Sequence, residues 1–170
     1  TAWLFQQSVE RPTPSAEGWQ TEQRDVDAAR QVAAKVVYAD GGVAAVLALA
    51  RLSDTAGHLG KALYDSGLSE PEVGALVEAA ARSDDSRERD FAHGLIASVF
   101  RDQKEPWAAA LITKAGADNW SDIALLTILR ALPFERWTWN QVAKIGGEIE
   151  TTYWRRAPVF WMSDDAEDVA

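Results

Sequence analysis

Between residues 70 and 146 the chain repeats itself, and that repetition narrows its possible folds more than any other feature. The segment EPEVGALVEAA at 70–80 lines up with EPWAAALITKA at 105–115, an offset of 35, matching Ala75 with Ala110, Leu76 with Leu111, Val77 with Ile112 and Ala80 with Ala115. Residues 107–116 align in turn with 137–146 at an offset of 30, sharing the leading tryptophan and the endings Lys-Ala-Gly and Lys-Ile-Gly. Partner segments between them match as well, LIASVFR at 95–101 with ALLTILR at 124–130. A unit of this length, too short to bury its own apolar face, is stabilised by stacking on its neighbours. The pattern predicts an all-α fold of stacked antiparallel helical hairpins.

The rest of the chain reads the same way. Apolar residues spaced three and four apart, Val26, Ala29, Ala33 and Val36, predict a helix over about 21–38. Gly41 and Gly42 then stop it, and helices follow at 43–52 and about 55–63. Ser69 with Pro71 opens the next helix, and a long one follows the polar loop at 83–86, its start at 87–90 mixing charges as a solvated face does. Helices at 106–115, 122–132, 135–145 and 148–156 complete four hairpins after the leading helix. Residues 1–20 form a short helix and a proline-rich loop, 21–156 the repeat domain, and 157–170 the start of a further helix or an acidic tail. Without an initiator Met or a leader, Thr1 is expected to be internal to a longer protein.

Composition excludes several functions. A net charge of −9 repels phosphate backbones and disfavours nucleic acid, although Arg130, Arg136, Arg155 and Arg156 gather in one region. The richest uninterrupted apolar run, 43–50, is too short to span a bilayer, so no membrane partner is expected. The absence of cysteine removes disulfides and thiolate chemistry and favours a cytoplasmic setting. No phosphate-binding glycine loop, nucleophile elbow or metal-ligating His pattern is present, so catalytic residues, metals and cofactors are all expected to be none. His58 and His93 read as structural; Gly94, next to His93, gives room for close packing, and Gly57 and Gly60 flank His58.

The compositional outlier is tryptophan, with eight in 170 residues. Tryptophan gives large contact area at low entropy cost and concentrates at binding hot spots, but it also wedges between stacked helices. Trp107, Trp120, Trp137, Trp154 and the adjacent Arg136 are the candidate binding residues for a protein partner or a segment of the parent chain. Trp139 belongs to the inward stripe by spacing; Trp137, about 200° away around the same helix, must face another layer or solvent.

In period and in alternating first and second helices, the hairpins beginning at Glu70, Glu105 and Glu135 resemble HEAT-type and TPR-type repeats. The varying spacing departs from the fixed TPR period and sits closer to HEAT units. The resemblance implies a right-handed α-solenoid acting as a non-catalytic scaffold or interaction module inside a larger protein. The alternative is a regulatory helical domain of a multidomain enzyme, an NTPase or effector, whose chemistry lies elsewhere.

Overall fold

The computed structural model describes residues 2–6 and 19–157, and the described residues contain helices and no strand. A 3-10 turn, Ala2–Phe5, precedes seven α-helices: α1 Trp19–Arg51, α2 Ala56–Asp65, α3 Glu70–Ala81, α4 Ser86–Ala117, α5 Asp122–Ala131, α6 Arg136–Ile145 and α7 Gly147–Arg155. The expected further helix at 163–170 and most of the proline-rich loop lie outside the described residues.

Two of these helices are each two helices joined at a corner. Gly42, at φ 57° and ψ −149°, divides α1 into 19–41 and 43–51. Lys104, at φ 58° and ψ −156°, divides α4 into 86–103 and 105–117. Gly146 adopts the same geometry, φ 66° and ψ −162°, between α6 and α7. One residue in this conformation ends a helix and lets the next begin at once. Glycine adopts it without cost, whereas Lys104 is strained there.

With those corners, the helix boundaries follow the sequence signals closely. Ser69 precedes α3, and its amide donates to the Glu72 carboxylate at 2.8 Å, a reciprocal arrangement that satisfies first-turn donors. Asp85 accepts from the amides of Arg87 and Glu88 at the start of α4, and Ser121 accepts from the Ala124 amide at the start of α5. Thr55 behaves differently from a cap: its hydroxyl and its amide both donate to the Phe5 carbonyl, at 2.9 and 3.0 Å. Arg30 adds a bond from Nε to the Leu4 carbonyl at 2.8 Å. The N-terminal turn is thereby fastened over α1 and α2, with the Phe5 ring fully buried.

The core is one continuous cluster running from Leu4 to Tyr153. Its most intimate junction is between α2 and α4, where glycines replace side chains. A Cβ added to Gly94 would lie 2.0 Å from the Gly57 carbonyl oxygen, and one added to Gly60 would lie 2.4 Å from that of Phe91. Around this crossing Leu59, Leu63, Phe91 and Leu95 are completely buried. Beyond it α3 packs on α4, α4 on α5, and α5 and α6 both on α7.

Two readings need correction. The charged start of α4 is a solvated face only in part: Arg87 and Asp90 are exposed, but Glu88 is buried and pairs with Arg51, Nε to Oε1 2.5 Å, while Arg87 donates to the carbonyls of Arg51 and Ser53. The polar loop after α1 lies against this turn, a contact between distant residues that local charge pattern does not reveal. In α1, Gln23–Arg51 is by length and composition sufficient to cross a membrane, with a mean hydropathy of 1.7 in its most apolar window. Lys35 and Asp40 interrupt the apolar residues of this helix, so a search for an unbroken apolar run misses it. The Gly42 corner falls within it, Val46, Leu49 and Ala50 enter the core, and Val32 and Val36 stay exposed.

Candidate functional site

Five tryptophans of the described residues, Trp107, Trp120, Trp137, Trp139 and Trp154, fall into three environments. Trp120 is buried where α4 meets α5, with the Arg82 guanidinium 5.7 Å and the Lys114 ammonium 5.6 Å from its ring centre. Those cations are held by Glu78, which pairs with Arg82 at 2.9 Å and with Lys114 at 3.1 Å, tying α3 to the second segment of α4. Lys114 also pairs with Asp118, and the bonds to Asp118 and Glu78 raise its pKa above the ordinary lysine value. This ring is a structural wedge clasped by cations.

Trp139 and Trp154 form a second group. Trp139 packs edge-on against Phe134 at 5.1 Å and lies 6.0 Å from Trp154, which in turn meets Tyr153 at 5.3 Å. The aromatic cluster joins the α5–α6 connection to α7. The inward position expected for Trp139 therefore agrees with its packing against the core. Trp107 is half-buried in the first turn of the second segment of α4 and also packs against the core.

Trp137 stands apart. Its ring leans on Phe100 at 6.1 Å, so one face is anchored, and the remainder lines an open groove of about 440 Å³ along α6 with Asn140, Gln141, Ala143 and Lys144. The helix makes this arrangement unavoidable. Trp137 and Lys144 are seven residues apart, nearly in line after two turns, and Asn140 and Gln141 flank the line between them. Arg136, exposed, lies beside the tryptophan at the N-terminal end. Among the described residues neither Arg136 nor Lys144 forms an ion pair. Lys114, the counterpart of Lys144 in the preceding repeat, has two.

Of the five candidate binding residues, then, Trp137 alone lines the groove, with Arg136 next to it; Trp107, Trp120 and Trp154 are placed elsewhere in the packing. Lys144, Asn140 and Gln141 are not among the residues that sequence reasoning singles out. The available signal is their position at i+7, i+3 and i+4 from a tryptophan that cannot join the inward stripe.

A smaller cleft of about 160 Å³ lies between α1 and α2, lined by polar groups including Asp27, Arg30, His58, Lys61 and Asp65. Burial and the nearby Arg30 charge lower the His58 pKa. The other charges satisfy one another: Arg30 with Asp27 at 3.5 Å, Lys61 with Asp65 at 2.7 Å and Arg101 with Asp65 at 2.9 Å. Burial pushes the Asp65 carboxyl up, but hydrogen bonds from Lys61 and Arg101 outweigh it and hold the pKa below the usual range. No group of three or more His, Cys, Asp or Glu capable of holding a metal occurs among the described residues. Of these pairs, Arg30–Asp27 lies within α1, Lys61–Asp65 within α2, and Arg101–Asp65 ties α4 to α2.

Comparison of the chain with protein-family models, curated proteins and solved structures finds no match.

Proposed function

We propose that this chain is a HEAT-like helical-repeat module, a right-handed solenoid of stacked hairpins that binds a protein segment along α6 and performs no chemistry of its own. The partner is another protein or a segment of the parent chain, and the setting is cytoplasmic. Support for the stacked arrangement comes from the order of neighbours, in which the second helices α2, the first segment of α4, α5 and α7 each follow one another across the array. The observation that carries the binding role is Trp137, an aromatic ring anchored on one side by Phe100 and open on the other to a groove with polar walls. Peptide sites take this form: a rigid apolar platform supplies area, and a few carboxamides and charges fix direction.

Panning a displayed library of random peptides against the wild-type chain and against Trp137→Ala tests the proposal. Peptides enriched on the wild type and not on the variant are expected. Equal enrichment on both proteins would refute the assignment of the groove.

A further inference from the structure

We infer that the segment recognised in the α6 groove is an extended, polyproline-II-like peptide carrying an apolar residue and, three positions later, an acidic one. The inference rests on the α6 groove being a peptide site and adds the identity of the partner's chemistry. Three observations lead to it.

The first is charge. Lys144 closes one end of the groove, exposed and without an ion partner among the described residues, and Arg136, also exposed and unpaired among them, lies next to Trp137 outside the lining. The equivalent lysine of the preceding repeat, Lys114, meets Glu78 and Asp118, so a lysine in this position has carboxylate partners where its own neighbours supply them. At α6 the residue in the Asp118 position is Glu148, but the Gly146 corner lies between it and Lys144 and the two form no ion pair, so an incoming carboxylate completes the arrangement. An acidic residue is favoured at the Lys144 end, where a basic one meets like charge.

The second is spacing. Trp137 and Lys144 are separated by seven residues, about 10 Å along the helix at 1.5 Å per residue. In a polyproline-II peptide, residues i and i+3 point the same way and lie about 9 Å apart. A β-strand puts same-side residues at about 7 or 13 Å and fits the pair less well. An apolar side chain on the Trp137 ring therefore brings a residue three positions away within reach of Lys144.

The third is the wall between them. Asn140 and Gln141 flank the line from Trp137 to Lys144, one on each side. A carboxamide N–H donates to the backbone carbonyl oxygens of a polyproline-II chain, which are unpaired and stay available even where the residue is proline. Backbone recognition at these two residues sets register without demanding particular side chains at the two intervening positions.

Fluorescence anisotropy with the full chain and the labelled probe Ser-Leu-Pro-Pro-Asp-Ser, with Ala and Lys replacing Asp in two further probes, tests the inference. The Asp probe is expected to bind about fivefold tighter than the Ala probe at low salt, the range an exposed ion pair can supply, with the gap closing as salt rises. In Lys144→Glu the preference is expected to reverse toward the Lys probe. Equal binding of all three probes, abolished by Trp137→Ala, would overturn the acidic specificity while leaving the groove as a peptide site. Binding unaffected by Trp137→Ala would overturn both readings. No binding of any probe up to about 1 mM, the lower edge of specific recognition, would overturn the apolar-then-acidic motif itself. Circular dichroism identical to the wild type establishes that each variant is folded.

Discussion

Replacing Gly94 by alanine places a methyl group 2.0 Å from the Gly57 carbonyl oxygen, where ordinary contact begins at 3.4 Å. The obstacle is backbone on a helix, so relief requires α2 and α4 to separate rather than a side chain to swing aside. A gap approaching 1 Å forfeits a quarter to a half of the dispersion energy across it. Four side chains on these helices, Leu59, Leu63, Phe91 and Leu95, are fully buried, and each contributes about 2 kcal/mol by burial. Losing about a third of that costs roughly 3 kcal/mol, against which alanine's better helix propensity returns about 1 kcal/mol. The net expectation is destabilisation by about 2 kcal/mol. Gly74, exposed in α3, is the control, because a methyl group added there would meet nothing within 4 Å. Gly74→Ala is expected to stabilise by about 0.5–1 kcal/mol. Urea denaturation followed by circular dichroism at 222 nm reads both. If Gly94→Ala is as stable as the wild type or more so, the close α2–α4 crossing is wrong.

Three further outcomes follow from single features. Lys104 holds a backbone conformation suited to glycine, so Lys104→Gly is expected to raise stability by about 1 kcal/mol once the greater freedom of the unfolded chain is set against the released strain; a loss measured in the same urea assay contradicts the strained corner. Trp120 is buried and Trp137 is open on one side, so Trp120→Ala should cost about 3–5 kcal/mol and Trp137→Ala about 1 kcal/mol; equal costs would erase the distinction between wedge and platform. Acidification should destabilise in two stages. Partial desolvation lowers the folded-state pKa of both His58 and His93, which stay exposed, so their contribution is small; it is complete above the unfolded value near 6.5 and is lost as pH falls through the lowered folded pKa. Below about pH 4, Glu72, lowered by its bonds to Ser69, and Asp102, lowered by its bond to Arg101, lose theirs in the same direction. Thermal melts across pH 3–8 check this, and a His58→Gln/His93→Gln variant should lack the first stage.

The helices are legible because their signals are local. Ser69, Asp85 and Ser121 stand where caps belong, Gly42 and Gly146 stand at corners, and the 35- and 30-residue offsets relate the sequences of α3, the second segment of α4 and α6. The small residues around His58 and His93 also announce a close approach, and Gly94 meeting Gly57 is that approach. The Lys104 corner is less legible, because lysine gives no hint of a positive φ; Pro106 two residues on is the nearest clue. Burial of Glu88 cannot be read locally, since it depends on Arg51, 37 positions earlier, arriving over it. The groove is half legible. Two tryptophans 200° apart on one helix cannot share a face, yet both are half-buried against the core, Trp137 through Phe100 on a different helix, which no local pattern announces. Trp120 and Trp154 illustrate the converse: composition marks a tryptophan as important without distinguishing a clasped wedge from an exposed platform.

The central claim, that the α6 groove is where this module meets its partner, is tested most directly by the indole N–H signals of the protein. Its eight tryptophans give eight side-chain cross-peaks in a proton–nitrogen correlation spectrum, and Trp137→Phe identifies one of them. On titration with the Ser-Leu-Pro-Pro-Asp-Ser peptide, the Trp137 signal is predicted to move progressively to saturation while those of Trp120 and Trp139 stay fixed. Movement confined to other indoles, with Trp137 unchanged, would contradict the claim.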